Sequence, residues 1–563
     1  MIHHSSPISG IAAYDDTYVA TAGYDNQVIL WDQATGQAIT RGLHDHLANQ
    51  CAFSPDGTLL VTSSSDYTTR LWSVPDMRLL ALLNDQEDDV EMSVFHPSRE
   101  LVATASRDHL LRVYDYSGAV VARFRGHQAD VISVEWANDP DELITSSDDG
   151  TVKRWSLRTG DVVADIDLGG VETDTVVISQ DGTLYAGNDN GEIVIIRGDS
   201  PELVPAHRSG IKRLVLDGER DLLVSLSYDR SMILWSTDRG RLELLDRAAI
   251  PADVWPRSCA FAAGSTIVFG TFGTTYRTYD YSLHSWLSTE VGPTPGYNAA
   301  CIYEGGVLSV GDAGVVFHDG EELASMGSLC NFLTPCADIV LTGGQLGLVM
   351  DALTGKQVYQ HRSPVNCGAA FVRGGVGHAL VGTYTGEGLV FRLPGDGSVE
   401  FVTEISLHEN AVKGVAVSDD FIVSVSADRE IAWHDVHTFA LLHRVPGAHD
   451  RIANDCASLG GGAFASVGRD LMLRIWSPDF EVRVIPTPHT HSIKSVAADN
   501  EGRFVATGSY DGHLAIYDRQ RDEWSPSLRL TAAGISSLTH DVDRARFLAS
   551  SYDGRVHDIP VGS

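Results

Sequence analysis

Short apolar runs in which alternate positions turn polar recur along this chain, each closed by a turn-forming residue. Residues 126–159 hold one full set. A Gly126-His127 pair is followed by VISVEW (131–136), ELITSS (142–147) and TVKRW (151–155), with Asp148-Asp149-Gly150 between the second and third runs. A period of two with Gly and Asp at the breaks predicts three short strands joined by tight hairpins. The set repeats. Its turn Asp returns as Asp25, Asp66, Asp108, Asp149, Asp229, Asp428, Asp470, Asp511 and Asp553, with Asn190 once in its place, and most neighbours stand 41 or 42 residues apart. The third run carries a recurring aromatic, seen in Trp31, Trp72, Tyr114, Trp155, Trp235, Trp433, Trp476 and Tyr517. His4, His44, His127, His207, His408, His449 and His489 open their sets four residues ahead of a small or apolar position. A unit of this size buries its faces only against neighbouring copies, which predicts a repeat architecture.

Between about 240 and 405 the Asp and Trp disappear, yet STIVFGTFGTTYRTYD, GGVLSVGDAGVVFHDG, DIVLTGGQLGLVMDALTG and HALVGTYTGEGLVFRL keep the order strand, Gly-containing turn, strand. Four unmarked units and ten marked ones make fourteen. Long amphipathic helical periodicity is absent.

The signature resembles the WD-repeat family of β-propellers, in which each repeat is a four-stranded blade and the blades close into a ring. The resemblance implies a buried hydrogen-bonded set in each blade, and His127, Ser147, Asp149 and Trp155 stand at its positions in residues 126–159. The expected fold is all-β, with two tandem seven-bladed propellers of fourteen four-stranded blades. The first spans 1–290 and the second 291–563, whose first blades are degenerate. The prolines and glycine of TEVGPTP mark the boundary, near Thr289 to Pro295. The last unit ends at RVHDIPVGS with no fourth strand in view. Within the reference blade Trp155 is expected in the core and Lys153 on the surface.

Composition narrows the function classes. Of the 563 residues, 75 are acidic and 41 are Lys or Arg, a net charge of -34 that repels phosphate backbones and sets nucleic acid aside as the main partner. No run approaches the length of a membrane helix and the N-terminus lacks a signal pattern, so the expected location is cytoplasmic, with no membrane partner. Seven irregularly spaced cysteines, among them Cys51, Cys301 and Cys456 in small-residue strand contexts, read as reduced packing residues, and Cys330 and Cys336 are not spaced as a zinc pair. The blade-opening histidines are assigned structural roles rather than metal ligation. Serine-hydrolase, zinc-protease, phosphate-loop and calcium-loop motifs are missing, so no catalytic residue, cofactor or metal is expected.

Function is therefore expected on the propeller faces. By resemblance, three positions per blade point outward on the partner-binding face: the third and fifth residues after the opening His, and the residue before the turn Asp. In the first ring these give an acidic arc of Asp89, Glu91, Asp130, Asp148, Glu172, Asp174 and Asp189, and an aromatic arc of Tyr24, Tyr228, Trp255 and Phe272. The second ring offers Lys413, Asn454, Arg469, Lys494, Tyr510 and Tyr552. Aromatic groups anchor protein interfaces, and an acidic arc suits a basic segment of a partner protein. The expectation is a non-catalytic scaffold, a subunit of a multiprotein complex. The alternative is an enzyme or small-ligand binder that uses a central channel.

Overall fold

A computed structural model describes residues 2–198, 200–418 and 420–561. The described residues form strands throughout, with a single 3-10 turn at Asp238–Gly240 and no α-helix. The strands assemble into fourteen antiparallel sheets. Twelve have four strands; the thirteenth adds a short strand, Leu528–Arg529, and the last has three among the described residues. The chain divides into two compact units, Met1–Thr294 and Pro295–Ser563, with seven sheets in each.

Within the first unit the leading strand of every sheet lies beside the leading strand of the next, from Ile8–Tyr14 round to Val254–Phe261, which returns to the first. The backbone N–H of Ile11 donates to Ser258 Oγ (2.9 Å) across this closure. The second unit closes the same way, with Ser536 Oγ donating to the Tyr297 carbonyl (2.5 Å) and Ala300 N–H to Ser537 Oγ (3.3 Å). This shows how each ring closes, although the last sheet has three strands among the described residues. The first three strands of a blade are buried and the fourth is exposed: Glu142–Ser147 is buried at every position but its first, whereas Val162–Asp167 alternates exposed and half-buried residues. Each ring thus buries its apolar faces between adjacent sheets, as the repeat pattern requires.

The His, hydroxyl, Asp and Trp set is realised with one change of member. His127 Nδ1 lies 2.8 Å from Asp149 Oδ2, His127 Nε2 lies 2.7 Å from Thr145 Oγ1, and the Trp155 indole N–H donates to the same hydroxyl (2.8 Å). Thr145 therefore fills the place expected of Ser147. Trp155 pairs across the hairpin with Leu143, so its indole reaches diagonally to Thr145, two residues along on the same face. Ser147 lies at the turn, where its Oγ accepts the Asp149 N–H (3.1 Å). Complete sets also join His4, Thr21, Asp25 and Trp31; His44, Thr62, Asp66 and Trp72; His207, Ser225, Asp229 and Trp235; and His449, Ser466, Asp470 and Trp476.

Lys153 departs from its surface assignment. It is only 4% exposed, because its stem runs over the blade and its ammonium meets Asp165 of the fourth strand at 2.5 Å. The four unmarked segments are blades too, each supplying two strands of a four-stranded sheet. In the first of them Tyr279 takes the Trp place, and its hydroxyl donates to Asp246 (2.5 Å).

Candidate protein-interaction face of the first unit

The leading strand of each blade begins where the second strand ends, so the residues flanking both are neighbours. Backbone bonds fix this in six blades: Tyr24 N–H donates to Pro7, Arg107 to Asp89, Asp148 to Asp130, Asp189 to Glu172, Tyr228 to Gly210 and Phe272 to Asp253. All eleven candidate residues consequently lie on one end of the first ring.

The carboxylates there are interleaved with cations. Arg107 reaches Glu91 through Nε and Asp130 through a terminal nitrogen, both at 2.5 Å. Lys212 sits between Asp174 (2.6 Å) and Asp189 (2.5 Å). Arg257, on the seventh blade, donates to Glu91 on the third (3.2 Å), and Arg213 on the sixth donates weakly to Met92 Sδ on the third (3.6 Å). These bonds join non-adjacent blades, so side chains span the centre of the ring. Burial alone would raise Asp130, but Arg107 and His109 hold its carboxyl below the ordinary range. Asp148 goes the other way, pushed well up by burial and then by the carboxylates of Glu172, Asp130 and Asp174, more than Arg107 offsets. Burial also pushes Asp189 up against the pull of Lys212, and pushes Glu135 up to about 7 against the pull of Arg213.

Three of the four aromatic residues form a contiguous group. Tyr24 meets Trp255 edge-on at 5.1 Å between centroids, Trp255 lies 5.5 Å from Phe272, and the Arg257 guanidinium covers the Trp255 ring at 5.5 Å. Lys212 Nζ stands 5.3 Å from the Tyr228 ring, linking the two arcs. Exposure differs within the group. Trp255 and Phe272 are 7% and 5% exposed and Asp89 only 2%, whereas Tyr24, Tyr228 and the other carboxylates are half-buried. The rings of Trp255 and Phe272 serve as a floor, and the two tyrosines present the accessible aromatic surface.

Arg107 and Lys212 occupy positions covered by the outward-facing rule, the residue before Asp108 and the fifth after His207. A selection by acidic or aromatic character passes over them. Arg213, Arg257, Glu135 and Met92 lie on the leading strands and carry no repeat signal. In the second unit Lys413 Nζ lies 5.1 Å from the Tyr384 ring, Tyr510 stacks on Tyr552 at 6.3 Å, and Asn454 donates to the Ile493 carbonyl (2.7 Å).

The family model described as "WD domain, G-beta repeat" matches residues 1–32, 39–73, 78–115, 118–156 and 481–518. Together with the sheets and the His–Asp–Trp sets, this decides the family. The chain is a WD-repeat protein. It is 24% identical over 269 residues to the transcriptional corepressor LEUNIG_HOMOLOG of Arabidopsis thaliana, across 40% of this chain and 34% of that protein. It is 26% identical over 231 residues to a guanine nucleotide-binding protein subunit beta-like protein of Encephalitozoon cuniculi, covering 36% and 68%. It is 26% identical over 237 residues to the target of rapamycin complex subunit wat1 of Schizosaccharomyces pombe, covering 39% and 74%. The chain thus spans about a third of the corepressor and larger shares of the two other WD-repeat relatives.

A pH effect follows from Asp148 of this WD-repeat ring. A carboxyl raised in the folded state stabilises most below its unfolded value, near 3.8, and that contribution is lost as pH rises through the raised folded value. At neutral pH the ionised group is therefore unfavourable. Asp148→Asn is expected to raise the melting temperature at pH 7, with the gain shrinking as pH falls towards 4. Melting curves across that range check it, and a variant less stable than wild type at pH 7 contradicts it.

Proposed function

We propose that this WD-repeat protein is a non-catalytic scaffold that binds a protein partner on the candidate face of the first ring, as a subunit of a multiprotein complex. The observation that carries the reading is the convergence there of Tyr24, Tyr228 and the Trp255–Phe272 floor with an acidic arc in which Glu91, Asp130, Asp174 and Asp189 pair with Arg107, Lys212 and Arg257. Rigid aromatic groups over a packed floor suit a hot spot, and the surplus of carboxylates favours a basic partner segment. One relative is by name a subunit of the target of rapamycin complex, which supports membership of an assembly. The ion pair between Glu91 and Arg257 crosses the ring centre, which disfavours the alternative of an enzyme or small-ligand channel.

The test is affinity purification from source cells with the wild-type chain and with Tyr24→Ala/Tyr228→Ala, followed by binding of the recovered partner as purified protein. The double variant is expected to dissociate at least about tenfold faster, the equivalent of about 1.4 kcal/mol, while its melting temperature stays near wild type. A partner that binds both forms equally, or whose contact leaves this face exposed, refutes the proposal.

A further inference from the structure

The tenth sheet, third of the second unit, keeps its opening histidine and loses every residue that normally occupies it. Val365 pairs with Thr383 as Val131 pairs with Ser147 in the reference blade, which fixes the correspondence. By that register Val381 stands where Thr145 accepts the indole N–H, Thr385 stands where Asp149 binds the histidine, and Phe391 replaces Trp155. His361, four residues ahead of Val365 as His127 is ahead of Val131, is left without the set. Its Nδ1 lies near Ser363, 3.2 Å from Oγ, 3.2 Å from the backbone nitrogen and 3.3 Å from the carbonyl oxygen. Its Nε2 lies 3.9 Å from Glu404, beyond hydrogen-bond reach, although the His361 side chain is just 4% exposed.

Two carboxylates stand beside the ring. Glu387 takes the register position of Thr151, and its Oε2 accepts from the hydroxyls of Thr383 (2.5 Å) and Thr385. Burial works against its charge, yet those bonds hold it below the ordinary carboxylate range. Glu404 approaches from the fourth strand. One donor atom from each of His361, Glu387 and Glu404 falls within 4.8 Å of the other two.

We propose that His361, Glu387 and Glu404 form a binding site for a divalent transition-metal ion of the zinc class. One imidazole nitrogen and two carboxylate oxygens suit Zn2+, which leaves a fourth position for water or another ligand. Donor atoms about 2.1 Å from tetrahedral zinc stand ~3.4 Å apart, so the set must contract. Glu404, with a side chain 43% exposed, is free to rotate inwards. Coordination through Nε2 requires the tautomer with hydrogen on Nδ1, for which the Ser363 hydroxyl and carbonyl oxygens offer acceptors; it forgoes the alternative in which the Ser363 backbone N–H donates to Nδ1 (3.2 Å). Arg362 pairs with Glu387 through its other oxygen and is 60% exposed, so it can remain beside the carboxylate or yield to the ion. The grouping of His408, Asp428 and Glu430 is different, because both ring nitrogens of His408 are engaged, by Asp428 (3.1 Å) and Ser424 (2.9 Å).

The experiment equilibrates the 563-residue chain with Zn2+ in a metal-buffered solution and measures bound metal and melting temperature. Wild type is expected to hold one tightly bound Zn2+ per chain and to melt higher with the metal. Glu404→Gln, at an exposed position, is expected to fold normally, bind Zn2+ at least about tenfold more weakly and lose the thermal shift. His361→Ala should match it, and Glu430→Gln should bind as wild type does. Zn2+ binding unchanged in Glu404→Gln, or equally reduced by Glu430→Gln, overturns the site, as does wild type with no tight Zn2+.

Discussion

Trp155→Ala is expected to destabilise the first ring by about 3–5 kcal/mol, the range for emptying a large aromatic core site. The Trp155 side chain is among the largest fully buried ones and packs with Met92, Leu111, Val113, Phe124 and Trp136, so the void would open between the third and fourth sheets. The loss also breaks a directional chain. The Trp155 N–H donates to the Thr145 hydroxyl; in the tautomer with hydrogen on Nδ1, that hydroxyl donates to His127 Nε2 and the ring donates to Asp149. Trp155→Phe keeps most of the volume and removes only the indole donor, so about 1–3 kcal/mol is expected. Lys153 is unsuitable as a neutral control, being buried and paired with Asp165. Asp161→Ala serves instead, at an exposed residue before the fourth strand, with a change within about 0.5 kcal/mol. Chemical denaturation with hydrogen exchange resolved over the first ring measures all three. Equal midpoints for Trp155→Ala and Asp161→Ala would mean that the blade core lies elsewhere.

The residues explain why the fold is easier to read than the face. A 41 to 42 residue period carries the blade, since every copy must supply the same turn Asp and the same buried aromatic to fill the gap between sheets. The unmarked segments from about 240 to 405 remain legible because alternation and turn glycines suffice to make strands even where Tyr279 or Phe391 replaces Trp. The hydroxyl of the buried set is harder, because Thr145 and Ser147 share a face and only the diagonal reach of the indole chooses between them. Positions at the ring end follow from the repeat, but their electrostatics do not. Whether Asp130 is a free steering charge depends on Arg107 of the preceding blade, and Glu91 meets Arg257 from a residue 166 positions away. Periodicity says where a side chain starts and little about which cation it meets. His361 is missing from the opening histidines legible in the sequence, and its place follows only from the register of Val365 with Thr383; Val381, Thr385 and Phe391 replace its partners, so the repeat signal is gone from its blade.

Arg107→Met is expected to destabilise the first ring by about 3–5 kcal/mol at neutral pH, the range for removing one partner of a buried charge pair. Burial disfavours the guanidinium charge, but Glu91, Asp130, Asp148 and Asp89 more than compensate and hold its pKa well above the ordinary value. Its side chain is 17% exposed, so water screens the interaction only in part. Methionine fills a similar volume and leaves those carboxylates facing one another. The pH dependence separates this account from a packing defect. In wild type Arg107 depresses Asp130, and stability from that pair is present above the unfolded value of about 3.8 and lost as pH falls through the depressed one. Without Arg107, burial and the neighbouring carboxylates should raise Asp130 as they raise Asp148. The variant then takes up protons on folding, and its deficit should shrink steadily as pH is lowered from 7 towards 5. Raised salt should relieve it in the same direction, by screening the half-exposed carboxylates more than the buried ones. Denaturation midpoints of both proteins at several pH values check this, and a deficit independent of pH would assign Arg107 to packing alone.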